Sequence, residues 1–380
     1  MTQQRHDLEE ILLSCNRCGL CHGCSPLFEL KKLESATARG KIRLARSLMQ
    51  GELEPSETLV DRIYECLMCG HCSSMCPAGI KVEEVIHSTR RFLASSGKVP
   101  RAVKSLVSRI DLSGNIYGRN IGGIRLREGE LVYFPGCVSS TEHPELADAT
   151  LICLIKSGLK VSILNGICCG APAWAAGFAE VYGKSMEKLQ SILEGREVVT
   201  SCPQCYHFLR LNQIQARHTA QVYAELLERE KLRLRPIKGT FTYSDPCYLT
   251  RFSNIMDEPR VVMEYIPGLR LLEMRSNKMN TRCCGNGLEV VQVSNPNLAA
   301  EVALRRLEEA IDIGAGNIVT SCPHCYLTLK KTMREKSLPM AIKDLSQLLA
   351  DALFRRSSKV SYDRLASLER ITAKPMAAHT

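Results

Sequence analysis

From residue 131 onward, short apolar runs alternate with longer stretches in which apolar residues recur at helical spacing. Strand-like runs lie at 131–134, 160–164 and 197–200, and helical stretches lie at 145–157 and 178–193. Apolar runs bounded by glycine and proline are typical of strands. Their alternation with amphipathic helices predicts a parallel sheet that is covered by helices on its faces.

The same order of elements occurs again further along the chain. Strands are predicted at 240–243, 270–274 and 317–320, and a helix is predicted at 299–311. Two apolar helices, at 222–227 and 345–349, follow the two sets in equivalent places. The repetition indicates an internal duplication, and we place the two α/β modules at residues 131–238 and 239–355.

Residues 1–96 show helical periodicity and no strand pattern. One helix is predicted at 40–51, and a second has an apolar face formed by Val82, Val85, Ile86, Thr89, Phe92 and Leu93. Residues 97–130 are rich in glycine, include Gly122 and Gly123, and are predicted to form a connector with one short helix at 101–110. The basic segment 356–380 is predicted to be a weak helix followed by disorder. The expected fold is α+β and multidomain.

The composition adds one feature to this picture, which is a high cysteine content. The chain has 19 cysteines in 380 residues and is too long for a small secreted disulfide scaffold. Its N-terminus lacks an apolar signal core, and no run of 18 apolar residues predicts a transmembrane segment. We therefore expect a cytoplasmic protein whose reduced thiols bind metal.

Charge and aromatic content narrow the range of partners. The net charge of +10 is spread along the chain, and aromatic residues make up only 5% of it. Without a basic stripe interleaved with aromatic residues, nucleic-acid binding is not expected. An anionic partner or substrate suits the positive charge.

Eight cysteines in the N-terminal domain form two closely spaced sets. Cys66, Cys69, Cys72 and Cys76, followed by Pro77, have the spacing of a bacterial ferredoxin motif. In the second set, Cys15, Cys18, Cys21 and Cys24, the last gap is one residue shorter. Because the fourth cysteine of such a motif usually binds the other cluster, we predict two cubane 4Fe–4S clusters. One is assigned to Cys15, Cys18, Cys21 and Cys76, and the other to Cys66, Cys69, Cys72 and Cys24. Two structural zinc sites are the alternative, which the density of cysteines disfavours.

Ten further cysteines form a five-residue pattern that occurs once in each module. The first copy is Cys137, Cys168, Cys169, Cys202 and Cys205, and the second is Cys247, Cys283, Cys284, Cys322 and Cys325. The prolines after Cys202 and Cys322 suit the first position of a helix, whose N-terminus favours a thiolate. Five thiolates are one more than a cubane requires, which indicates an unusual cluster with a bridging thiolate. A four-cysteine cubane or a zinc site with a spare thiol remains the alternative in each module.

Three other features of the modules bear on the chemistry. Gly170 and Gly285 follow the vicinal cysteines and are expected to let the backbone approach a cluster closely. His324 stands where the first copy has Gln204, and it is a candidate proton donor or hydrogen-bond partner at the cluster. Cys153 matches nothing in the repeat and is expected to be a buried apolar residue.

The doubled pattern of Cys, Cys-Cys-Gly and Cys-x-x-Cys resembles the motif in the catalytic subunit of heterodisulfide reductases. The two ferredoxin-type motifs ahead of it resemble the D-type subunit of that family, which fuses the parts found elsewhere in C-type and B-type subunits. Segments 38–44 and 114–118 are also similar to that family. The chain is thus identified as similar to the D-type iron–sulfur proteins that carry cysteine-rich CCG domains.

This resemblance implies a cofactor for each five-cysteine motif, namely a noncubane 4Fe–4S cluster. In heterodisulfide reductases a disulfide is split at such a cluster in one-electron steps. On that basis the ten module cysteines would be the catalytic groups, with His324 beside them. The two cubanes would pass electrons to the noncubane clusters, which would reduce or form a disulfide.

The resemblance also implies a second interpretation, in which the chain is an electron-transfer subunit without a substrate of its own. Class II benzoyl-CoA reductase complexes and glycolate or lactate oxidases contain iron–sulfur subunits of this layout. The expected partners are a flavoprotein, a b-type cytochrome or a benzoyl-CoA reductase module, within anaerobic metabolism. Through such a partner the protein would associate with the inner face of the membrane.

Overall fold

The computed structural model describes residues 11–119 and 126–354. The tail predicted at 356–380 lies outside these residues, as do Gly122 and Gly123 of the connector. The described part combines an N-terminal helical domain with two four-stranded parallel sheets. The prediction of helices together with parallel sheets is therefore confirmed.

The N-terminal domain contains α-helices and short 3-10 turns. Its helices are α1 (Pro26–Lys31), α2 (Ala38–Met49), α3 (Glu57–Tyr64), α4 (His71–Ser74) and α5 (Val82–Ser95). Side-chain caps define several starts, since Thr37 accepts a hydrogen bond from the Gly40 amide at the start of α2. Helix α5 buries the predicted apolar face with one exception, because the side chain of Phe92 is 43% exposed.

The connector contains a longer helix than the sequence predicts. Helix α6 spans Arg101–Ser113 and buries Val103, Leu106, Val107 and Ile110. These residues join the same apolar core as the N-terminal helices and the first module. The connector is therefore also a packing element between the parts of the chain.

The first sheet has the strand order β2-β1-β3-β4, with all strands parallel. Its strands are β1 (Leu131–Phe134), β2 (Val161–Ile163), β3 (Val198–Thr200) and β4 (Ala216–His218). The helices of this module are α7 (Gly136–Thr141), α8 (Pro144–Lys156), α9 (Ala171–Ala176), α10 (Ala179–Leu193), α11 (Pro203–Leu211) and α12 (Thr219–Glu228).

The second sheet repeats this order as β6-β5-β7-β8. Its strands are β5 (Gly239–Tyr243), β6 (Leu269–Leu271), β7 (Asn317–Thr320) and β8 (Ala341–Asp344). Its helices are α13 (Cys247–Thr250), α14 (Glu258–Glu264), α15 (Val290–Ser294), α16 (Pro296–Asp312), α17 (Pro323–Glu335) and α18 (Leu345–Leu353). Strands β4 and β8 were not predicted, because they are three and four residues long and carry charged Arg217 and Lys343.

The two modules pack on each other in a reciprocal manner. Helix α12 of the first packs on α14 of the second, while α18 of the second packs on α8 of the first. Polar contacts accompany this apolar interface, since Thr150 donates to Ser346 at 2.9 Å and Tyr223 donates to the same hydroxyl at 3.0 Å. Cys153 is fully buried here, as the sequence predicts, and its thiol faces the Ser346 carbonyl at 3.5 Å.

Hydrogen bonds from a buried arginine join the N-terminal domain to the first module. The Arg90 guanidinium donates to the carbonyl oxygen of Ala175 at 2.8 Å and to that of Cys66 at 2.7 Å. The Tyr64 hydroxyl donates to the Ala176 carbonyl at 3.0 Å. A buried charge requires such hydrogen bonds, so the orientation of the two parts is fixed at the loop that carries Cys66.

Candidate metal centres

The five cysteines of the first module meet at one edge of its sheet. Cys137, Cys168 and Cys202 follow the carboxyl ends of β1, β2 and β3, where open parallel sheets place their ligands. All five are buried. The thiols of Cys169 and Cys205 lie 3.5 Å apart. Interactions of the Cys168 thiol with neighbouring Cys137 and Cys169, together with burial, raise the pKa of Cys168.

The second module brings its five cysteines together in the same way. They line a single cavity, which contains Cys247, Cys283, Cys284, Cys322 and Cys325. Cys283 is next to Cys247 and Cys284, and Cys325 is next to Cys284 and Cys322. A concentration of five soft sulfur donors fits an iron–sulfur cluster.

Local structure explains how the Cys-Pro pairs reach this edge. Cys202 and Cys322 are extended N-cap residues, and Pro203 and Pro323 begin helices α11 and α17 as predicted. The loops ahead of them are fixed by matching contacts in the two modules. Tyr133 contacts Ser201 at 2.9 Å, and Tyr243 donates to Ser321 at 3.0 Å.

The glycines after the vicinal cysteines lie where neighbouring helices leave no room for a side chain. Both have a left-handed backbone, with φ of 75° at Gly170 and 91° at Gly285. A Cβ atom on Gly285 would lie 2.2 Å from the carbonyl oxygen of Ala299 in α16, and one on Gly170 would lie 3.0 Å from Tyr182 in α10. These contacts show that the glycines admit neighbouring helices.

The eight N-terminal cysteines line two cavities. One is lined by Cys24, Cys66, Cys69 and Cys72. The other is lined by Cys15, Cys18, Cys21 and Cys76, and also by Cys72. Each cavity thus brings three cysteines of one sequence motif together with the fourth cysteine of the other. Both sets have the number of thiols that a cubane requires. Burial raises the pKa of Cys24 to about 12, with a further contribution from nearby Cys69.

The Cys66–Cys69 loop connects the N-terminal domain with the second module. The thiol of Cys69 lies against that of Cys283. Leu67, from the same loop, lines the cavity of the second five-cysteine set. One N-terminal site and the second-module site are therefore direct neighbours.

Comparisons with known protein domains agree with the division of the chain into an N-terminal domain and two α/β modules. A 4Fe–4S dicluster domain matches residues 11–80, and the cysteine-rich CCG domain matches twice, at 131–210 and 241–330. The chain therefore contains two regions similar to the CCG domain. The two α/β modules are its CCG modules.

Two relatives match nearly the whole chain. The D-type subunit of the dihydromethanophenazine:CoB–CoM heterodisulfide reductase of Methanosarcina barkeri is 27% identical over 90% of this chain and 93% of its own length. A probable glycolate oxidase iron–sulfur subunit of Bacillus subtilis is 24% identical over 91% of this chain and 95% of its own. The predicted resemblance to the D-type proteins is confirmed.

A solved structure shows a similar fold. The crystal structure of a hypothetical protein from Helicobacter pylori matches with a TM-score of 0.57 and 12% identity, over 88% of this chain and 70% of that one. In the described part of the chain, no helix has the length and apolar character needed to cross a membrane. Among the same residues, no three histidine, cysteine or acidic side chains are spaced to hold a single metal ion.

His324 lies between the two CCG modules. Its Nδ1 atom is 3.1 Å from Oε2 of Glu289, and the ring also lies against Cys202 of the first module. Although burial opposes it, these two contacts raise the pKa of His324. The sequence places His324 in the second Cys-x-x-Cys loop, but the thiol it contacts belongs to the first.

Sequence reasoning missed Glu289 and Arg251. Glu289 is a buried carboxylate with an unusual φ of 68°, and nothing in the local pattern distinguishes it from a surface glutamate. Arg251 donates to the carbonyl oxygens of Cys69, Met279 and Thr281. Its position four residues after Cys247 is the only sequence signal that could have indicated a role beside a cluster.

Proposed function

We propose that the chain is an iron–sulfur oxidoreductase subunit that accepts electrons from a partner and reduces a disulfide to two thiols. The reaction consumes two electrons from the partner and two protons, and it can run in reverse. The observation that supports this most is the pair of complete five-cysteine sets at matching sheet edges. The whole-length similarity to the D-type subunit of a heterodisulfide reductase supports it further.

Four clusters would be held by the cysteine sets described above. We assign cubanes to the two N-terminal sets and noncubane clusters to the two five-cysteine sets. When bound, such clusters supply one-electron transfer and, at the five-cysteine sets, iron that can bind a thiolate. The donor sets fit, since each N-terminal cavity has four assigned thiols and each CCG module has five.

The chain arranges these sites in a row. The two N-terminal cavities share Cys72, and the cavity that contains Cys69 reaches the second CCG module through Cys283. His324 then links that module to Cys202 of the first.

The other end of the row is open to solvent. Cys18 is exposed there, and Leu13 and Leu20 beside it are 61% and 54% exposed. We propose that the electron-donating partner docks at this end, whether a flavoprotein, a b-type cytochrome or a benzoyl-CoA reductase module.

A second candidate function is an electron-transfer subunit without a substrate of its own. The burial of the proposed cluster ligands favours this function, because nine of the ten CCG-module cysteines are buried and Cys247 is half-buried. A probable glycolate oxidase iron–sulfur subunit is similar to 91% of this chain. In this interpretation the thiol chemistry is carried out elsewhere in a complex.

Protein purified without oxygen tests the proposal. Two cubanes and two noncubane clusters predict about 16 irons per chain. EPR spectra of the oxidised protein should gain a new signal when a matching thiol is added, and a strong donor dye should then support disulfide reduction. Full iron content with spectra indifferent to every thiol, and no turnover of any disulfide, would reject the reductase and leave the relay.

A further inference from the structure

The residue between the two cysteines of each Cys-Pro-x-Cys loop reaches into the opposite CCG module. His324, in the second-module loop, lies against Cys202 of the first module. Gln204, in the first-module loop, lines the cavity formed by the five cysteines of the second module. The two positions are equivalent in the duplication, so the exchange is reciprocal.

The surroundings of the two residues differ. Glu289 accepts a hydrogen bond from Asn286 at 3.0 Å and lies 3.1 Å from His324, so it fixes the plane of the ring. The Glu289 amide donates in turn to the Asn286 side chain at 2.8 Å. Counted from the Cys-Cys-Gly motif, the equivalents of Asn286 and Glu289 in the first module are Ala171 and Trp174. Gln204 therefore has no carboxylate at the position that corresponds to Glu289.

We propose that each five-cysteine site is completed in trans, with His324 acting as a positioning residue of the first-module site and Gln204 as one of the second-module site. Hydrogen bonds to ligand sulfur atoms are a known means of tuning an iron–sulfur cluster. Since one site receives a carboxylate-oriented imidazole and the other an amide, the two sites have different ligand environments. This inference rests on the cluster assignment in the proposed function but not on disulfide reduction.

The experiment uses the full-length protein, purified without oxygen, with one five-cysteine site removed at a time. The variant C283A/C284A leaves only the first-module site, and C168A/C169A leaves only the second. Each should lose about four irons. Into each background, H324Q and Q204H are introduced separately, and EPR spectra and the midpoint potential of the remaining module signal are measured.

A crossed pattern is expected. H324Q should shift the signal that remains in C283A/C284A, although the substituted residue belongs to the disabled module, and it should leave the signal in C168A/C169A unchanged. Q204H should do the opposite. E289Q should reproduce the direction of the H324Q effect without altering either Cys-Pro-x-Cys loop, which separates positioning from damage to the fold.

The opposite pattern overturns the inference. If H324Q and Q204H change only the signal of their own module, the residues act in cis. If neither substitution changes either signal while iron content is retained, the two contacts have no role at the clusters. Failure of disulfide reduction would reject the proposed enzyme but would leave a crossed spectral pattern intact, so the two results are separable.

Discussion

The guanidinium of Arg251 donates a hydrogen bond to the carbonyl oxygen of Cys69 at 3.0 Å. This contact joins the second CCG module to the N-terminal loop whose thiol meets Cys283. Arg251 also donates to the Met279 carbonyl at 2.9 Å, just ahead of Cys283 in the chain. The Arg251 guanidinium is therefore hydrogen-bonded both to the N-terminal loop and to the segment ahead of Cys283, at the junction between two proposed clusters.

Replacing Arg251 with glutamine should lower the reduction potential of the cluster assigned to Cys24, Cys66, Cys69 and Cys72. Removing a positive charge disfavours the more negative reduced form. At an effective dielectric constant near 20 and about 10 Å, the change is on the order of 70 mV. A redox titration followed by EPR measures it.

Arg282 provides the matched control at the same interface. It pairs with Glu29 at 2.9 Å, but both side chains are about 40% exposed. Water and salt screen exposed charges, so R282Q should shift the potential by less than R251Q does. An equal shift in both variants would show that the effect of R251Q comes from general loosening of the interface.

Replacing Cys153 with alanine should leave the iron content of the protein unchanged. Cys153 is fully buried between the modules and lies outside every proposed ligand set. The loss of one buried sulfur should cost about 1 kcal/mol of unfolding free energy. Iron analysis of C153A beside C205A checks this, because only C205A removes a proposed ligand. Equal iron loss in the two variants would contradict the assignment.

Replacing Gly285 with alanine should prevent the second CCG module from folding normally. The new Cβ would lie 2.2 Å from the Ala299 carbonyl oxygen on a backbone with φ of 91°. We expect a loss of more than about 3 kcal/mol, which combines overpacking and a left-handed backbone. Gly314 is the control, since it has φ of 74° but no atom within 4 Å of its added Cβ. G314A should cost about 1 kcal/mol by the midpoint of denaturant unfolding.

Replacing Asp344 with asparagine should stabilise the protein increasingly as the pH rises from about 4 to 7. Asp344 caps helix α18 through the Ser346 amide, and burial raises its pKa to about 7. Above the ordinary pKa of aspartate, the unfolded chain ionises while the folded chain keeps its proton, so the wild-type protein loses stability as the pH rises. Asparagine retains the cap without this loss, and the gain should approach roughly 2–4 kcal/mol at pH 7. Denaturant unfolding at several pH values measures it; a gain that does not grow with pH would contradict the prediction.

His218 holds the equivalent cap in the first module and should show the opposite pH dependence. Its Nδ1 atom accepts a hydrogen bond from the Ala220 amide, and burial lowers its pKa to about 4. As the pH falls below the ordinary histidine pKa, the unfolded chain gains a proton that the folded chain excludes, so stability is lost. H218N should therefore gain stability relative to the wild type at pH 5.5 but not at pH 8. The same unfolding series provides the comparison.

Much of the local structure follows from the sequence. The buried parts of strands β1, β3, β5 and β7 are rich in β-branched and aromatic residues, and the Cys-Pro pairs identify the helices that follow β3 and β7. The repeated spacing of cysteines predicts the duplication before any contact is known. Hydrophobic periodicity does not predict strands β4 and β8, which are short. It also does not predict that the side chain of Phe92 in helix α5 is exposed.

The sequence by itself determined which cysteines belong to each motif and the order of the elements along the chain, because residue patterns and cysteine spacing are local properties. Only the tertiary structure decided which sites are neighbours. The contact of Cys69 with Cys283, the carboxylate of Glu289 behind His324, and the reach of His324 to Cys202 all join residues far apart in the chain. Such contacts depend on how helices and sheets from different parts of the chain pack, and no local pattern encodes that packing.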